Sequence, residues 1–115
     1  MKKDPTPYLR HMLDSAEAVM NFASKHTYEE LVNSDWNKAA LIRNLEIIGE
    51  ASTNISVEFR KQNPQIPWQD IIDFRNVAIH EYMEVDLHIV WNIVTLEIPI
   101  LIDQLQELLQ NKKGA

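Results

Sequence analysis

The chain contains no cysteine, which excludes disulfides, zinc–thiolate sites and thiol nucleophiles, and suits a reducing compartment. Only two of its 115 residues are glycine, too few for a phosphate-cradling loop. Alternating polar and apolar residues, the mark of a half-buried strand, are missing at any useful length. Basic charge is short: 11 Lys and Arg stand against 17 Asp and Glu, a formal net charge of −6. A general nucleic-acid binder with a basic stripe is therefore not expected. An enzyme that gathers a few cations in one cleft is still compatible with that balance. No apolar run follows Lys2 and Lys3, so the N-terminus does not read as a signal peptide. No segment reads as the ~20 apolar residues that span a bilayer. The expectation is a cytoplasmic protein without membrane attachment.

What is present is a sequence of helical periods. Its 45% hydrophobic and 24% charged residues are those of a globular protein, and residues 1–115 read as one domain with its own core. Thr6-Pro7 is a helix start, and Leu9, Met12, Leu13, Ala16, Met20 and Ala23 form a stripe down to about Lys25. Thr27–Glu30 has capping-box spacing and opens a short helix. Ser34 or Asp35 caps a longer one, with Trp36, Ala39, Ala40, Leu45, Ile48, Ala51 and Ile55 as its apolar face to roughly Phe59. Pro64 and Pro67 interrupt the pattern, and Pro67 starts the next helix. Asp86 caps the last, from Leu87 to about Gln110, with a kink expected at Pro99 and fraying expected over 111–115. The fold class is all-α: an antiparallel four-helix bundle with an extra short helix. The last helix is apolar on more than one face, so a homodimer is expected.

"DFRNVAIHEY", Asp73 to Tyr82, gathers the polar chemistry. Histidine moves protons near neutral pH, and arginine matches phosphate oxygens. Without a metal, the two suit RNA cleavage by the 2′-hydroxyl, with His80 as acid or base and Arg75 neutralising the phosphorane. Asn76 is placed to orient His80, and Tyr82 to touch phosphate or a base. Taken alone, these residues fit a salt-bridged surface with capping groups more readily than a site. At 100° per residue, His80 points about 140° away from Arg75. A site therefore requires either a helix end near His80 or two copies converging. Glu46 and Glu50 lie one turn apart; Glu50 is expected to pair with Arg75, and Gly49 to let two helices approach. Arg10, Lys25, Arg43, Arg60 and Lys61 are candidate cations for a cleft. Glu84 and His88 are too few to bind a metal, His11 and His26 read as surface, and the three tryptophans as core or interface.

Arg75-x4-His80-x-Tyr82 resembles the R-x4-H-x-Y motif of HepT-like toxins in the HEPN superfamily. "YLRHMLDSAEAVMNF", "RNLEIIGEAS", "PWQDIIDFRNVAIHEY" and "VDLHIVWNIVTLEIPIL" resemble that family's blocks in order, from Tyr8 to Leu101. The resemblance implies a HEPN-like homodimer and a metal-independent endoribonuclease that needs no cofactor. It further implies the toxin of a type II- or VII-like toxin–antitoxin pair, acting on RNA, with an MNT-type nucleotidyltransferase as antitoxin. In that scheme Arg75 and His80 of both subunits meet in one cleft, and the antitoxin transfers AMP to Tyr82, blocking the phosphate site with bulk and charge. The competing reading is a non-catalytic helical partner subunit or substrate-binding module of a minimal nucleotidyltransferase.

Overall fold

A computed structural model describes residues 4–114, with side chains as far as residue 111. Among them all regular structure is helical. In chain order come α1 (Thr6–Lys25), α2 (Tyr28–Val32), α3 (Asp35–Thr53), α4 (Val57–Gln62) and α5 (Trp68–His80). A 3-10 turn (Tyr82–Glu84), α6 (Leu87–Asn92), a π-helical turn (Ile93–Glu97) and α7 (Ile98–Gly114) complete the order. The molecule measures 46 × 28 × 19 Å, thin in the direction that holds about two helix layers.

The starts follow local chemistry. The Thr27 hydroxyl accepts from Glu30 N–H while the Glu30 carboxylate accepts from Thr27 N–H, closing the expected capping box. Ser34 caps α3 and Asp86 caps α6 through their side-chain oxygens. The third helix is shorter than expected. It stops at Thr53, where Asn54 takes the C-cap and turns its amide onto the Glu50 carbonyl. Ser56 then caps the separate α4, so Asn54 and Ser56 override the apolar period that Ile55 prolongs.

Two apolar stripes are rotated from their expected faces. In α1 the buried residues are Leu9, Met12, Ser15, Ala16 and Val19, while Met20 is exposed. In α3 they are Leu41, Ile42, Leu45, Ile48, Gly49, Ala51 and Ser52. Trp36, expected on that face, is 82% exposed, because it lies about 160° round the helix from the centre of the buried residues. Trp68 is buried, its indole N–H donating to the Asn63 carbonyl, and Trp91 is half-buried against the core.

Pro99 has the expected effect in a specific form. Its ring would strike the carbonyl four residues back and supplies no N–H to it, and the helix answers with the π turn at Ile93–Glu97. The expected fraying falls on 111–115, of which Ala115 and the side chains of 112–114 lie outside the described residues. By length and composition, Leu87–Asn111 is apolar enough to cross a membrane, which overturns the expectation that no segment comes near that mark. One side of it is core all the same: Val90, Val94, Ile98, Leu101 and Leu105 are buried, with α7 packed along α1.

α3 packs on α1 and on α5, and α7 on α1, whereas α5 and α7 barely meet. A groove of about 500 Å³ therefore opens between them, lined by Ile71 and Phe74 of α5 and by Ile89, Ile93 and Leu101 opposite. Ile89, Leu96 and Ile100 remain more than half exposed.

Candidate functional site

α5 is held from one side. Of its 13 residues only Trp68 and Ala78 are buried. The side that meets α3 depends on Gly49, where a Cβ would collide with Arg75 Cβ and come within 2.9 Å of its Cγ and 3.1 Å of the Ile71 carbonyl oxygen. The expected role of Gly49 is thus a close approach, and what it admits is the stem of Arg75. The two helices run antiparallel, since Gly49 faces Arg75 and Ile71 while Ile42 lies beside Tyr82.

Arg75 is half-buried. Its Nη1 donates to Asn76 Oδ1 at 2.9 Å, and its Nε is buried without a hydrogen-bond partner. No carboxylate pairs with it among the described residues. One expectation is corrected here. Glu50 accepts from Arg43 Nη1 at 2.9 Å, and Glu46 accepts from the same nitrogen at 3.1 Å. Arg43 lies on the same helix at spacings of three and seven, so it reaches both carboxylates without crossing to α5, and Glu50 does not hold Arg75. The hydrogen bond to Glu50, then that to Glu46, raises the Arg43 guanidinium above its ordinary range. Asn76, expected to orient His80, has its amide oxygen engaged by Arg75.

The helix runs regularly through His80 and ends just after it, so the angle of about 140° between Arg75 and His80 stands within one copy. Glu81, with φ −134° and ψ 41°, terminates α5 immediately after His80, and Tyr82 leaves the helical stripe it would share with Arg75 in a continuous helix. His80 is exposed and Tyr82 is 39% exposed. The stretch thus presents a half-buried guanidinium without an acid partner, an exposed imidazole and a partly exposed phenol, and no hydrogen bond joins the three among the described residues. The other histidines are engaged in ring contacts. His26 stacks on Phe22 at 4.1 Å and bonds its carbonyl, His11 meets Tyr8 edge-on, and His88 stacks on Tyr28 at 4.5 Å. Among the described residues no three His, Asp or Glu side chains converge where an ion would sit.

Of the expected cations, Arg43 is committed to carboxylates, and Arg60 Nε donates to the Ile55 carbonyl. One cation escaped the sequence reading. Lys38 lines a hollow with Tyr82, a juxtaposition of residues 44 apart in sequence that no local spacing announces.

A family model described as "Ribonuclease HepT-like" matches residues 12–108. The provisionally named RNase TTE0752 of Caldanaerobacter subterraneus subsp. tengcongensis is 39% identical over 111 residues, covering 96% of this chain and 99% of its own. The provisionally named RNase MJ1380 of Methanocaldococcus jannaschii is 39% identical over 98 residues, 85% of this chain and 90% of its own. A probable ribonuclease HepT of Thermococcus cleftensis is 34% identical over 108 residues, 94% and 98% respectively. No solved structure matches significantly. With the model covering most of the chain and relatives aligned along nearly their whole length, the protein belongs to the HepT-like ribonuclease family and is an endoribonuclease.

Proposed function

We propose that the chain is the toxin of a toxin–antitoxin pair, a metal-independent endoribonuclease that works as a homodimer in the cytoplasm. The observation that carries the reading is Arg75: a guanidinium without a carboxylate partner, with an unsatisfied buried Nε, on a helix that ends at His80. Burying a polar N–H without an acceptor is costly, and a phosphate oxygen, or an acceptor on a second copy, is the kind of group that would relieve it.

In the reaction the ribose 2′-oxygen attacks the adjacent phosphorus and the bond to the 5′-oxygen breaks, leaving a 2′,3′-cyclic phosphate and a 5′-hydroxyl. His80 of one copy accepts the 2′-hydroxyl proton, and water supplies a proton to the departing oxygen. Arg75 neutralises charge on the phosphorane, and Asn76 holds the guanidinium plane through the bond to Nη1. The open groove between α5 and α7, together with exposed Ile89, Leu96 and Ile100, supports a second copy docking beside α5. Convergence across that contact removes the angular difficulty, because Arg75 of one copy then faces His80 of the other. Silencing fits an MNT-type nucleotidyltransferase that places AMP on Tyr82, adding bulk and negative charge beside the phosphate site.

The test is expression of the chain alone, with RNA cleavage assayed in EDTA. Growth arrest and cleavage that both disappear in Arg75→Ala and His80→Ala support the reading. Tolerated expression without cleavage points instead to a non-catalytic partner subunit of a nucleotidyltransferase. For the switch, mass spectrometry after incubation with the nucleotidyltransferase and ATP should find the adenylyl group on Tyr82. An adduct elsewhere removes Tyr82 from the scheme.

A further inference from the structure

Beyond the end of α5, where the 3-10 turn crosses the first turns of α3, a hollow of about 290 Å³ opens beside Tyr82. Val85, Leu87, Met83 and Tyr82 line it with apolar and aromatic surface, and the buried Ile42 lies behind them. At the rim stand Lys38 and Asp35, Nζ to Oδ1 at 3.1 Å. The volume is at the lower end of the ~300–1,000 Å³ typical of small-molecule sites. It suits one nucleotide rather than an oligomer.

The two rim residues are held very differently. The Lys38 side chain is 26% exposed, its stem lying against the protein and its ammonium reaching the mouth, whereas Asp35 is 99% exposed. An ion pair to so exposed a partner is screened and contributes little. An incoming phosphate can therefore displace Asp35 from Lys38, in contrast to Arg43, which is clasped by two carboxylates. An apolar lining, an aromatic ring and one available cation together recognise an unstacked base carrying a phosphate.

We propose that this hollow is a nucleotide subsite of the ribonuclease, taking one unstacked nucleotide of the RNA strand next to the bond that is cut. Lys38 pairs with its phosphate, and its base covers Val85 against the Tyr82 ring. Tyr82 follows His80 by two residues, a chain length of at most about 7 Å, which corresponds to one or two nucleotide steps. The placement rests on His80 acting at the scissile phosphate. It also gives the tyrosine switch a steric basis, since a nucleotidyl group on Tyr82 would fill the subsite from within the chain.

The experiment measures binding of a short single-stranded RNA to the His80→Ala protein across a salt series, so that no turnover intervenes. Adding Lys38→Ala should weaken binding about five- to tenfold and lower the log–log salt slope by about 0.7, the loss of one single-strand phosphate contact. Lys38→Arg should restore most of both. Asp35→Asn, which leaves Lys38 in place and removes its competitor, should tighten binding two- to threefold. Unchanged affinity and slope in Lys38→Ala overturns the subsite. So does unchanged affinity in Asp35→Asn, should Lys38→Ala fold poorly. If His80→Ala still cuts RNA, the catalytic assignment falls by itself. If His80→Ala is inert and the Lys38 and Asp35 variants bind like their parent, the subsite alone falls.

Discussion

α3 and α5 are neighbouring helices of the same bundle, and they are built to opposite specifications. α3 meets α1 on one side and α5 on the other, and buries seven of its residues. Its charged residues pair with one another, Arg43 with Glu46 and Glu50 and Lys38 with Asp35. α5 leans on α3 alone among the long helices, buries two residues, and leaves Arg75 without an acid partner and His80 in solvent. The difference teaches that the scaffold and the chemistry are separated by helix. The charged groups on α3 pair with one another, whereas on α5 Gln69 bonds Asp73 and Arg75 bonds Asn76 but the buried Arg75 Nε has no acceptor within the chain.

Breaking the chemical side should have the largest effect. His80→Ala is expected to slow RNA cleavage about 10²–10⁴-fold, while its thermal unfolding stays close to wild type because the side chain is exposed. Kinetics beside a melting curve check this. A melting temperature that collapses with the activity would make His80 structural.

Breaking the scaffold side should invert the pattern. Leu105 is fully buried, and Leu105→Ala is expected to cost about 2–5 kcal/mol in denaturant unfolding. The fraction that remains folded should cut RNA at the normal rate.

Gly49→Ala joins the two regions. The added methyl meets the Arg75 stem and the Ile71 carbonyl, so α5 must shift, at a cost of about 1–3 kcal/mol. Cleavage per folded molecule should fall as well, which separates this variant from Leu105→Ala. Unchanged specific activity would show that the position of Arg75 is not set by this contact.

The smallest effect belongs to Glu50→Gln. It loosens one of two carboxylates on an exposed guanidinium, and a stability change within about 0.5 kcal/mol is expected. A large loss of cleavage there would restore Glu50 to the catalytic edge.

Much of this division can be read from the chain. Helical periods, the Thr27 box and the Asp86 cap placed most elements, and the angle between Arg75 and His80 asked for a helix end near His80 or a second copy; α5 stays helical through His80, which leaves the second copy. Other features depend on competition that periodicity does not weigh. Ile55 prolongs an apolar stripe, yet Asn54 and Ser56 end the helix by capping it. Glu50 has two arginines within imaginable reach, and the one on its own helix prevails because no second element must be positioned. Lys38 meets Tyr82 only after α3 and α5 have packed antiparallel, so its place in a hollow is a tertiary fact.

If α5 presents half of a site completed by a second copy, separately inactivated copies should complement each other. Arg75→Ala and His80→Ala proteins, each inert alone, are to be unfolded, mixed and refolded together, and RNA cleavage measured. Recovery of a sizeable fraction of wild-type activity, from mixed dimers in which an intact Arg75 faces an intact His80, is the predicted result. A mixture as inert as its components would contradict the account.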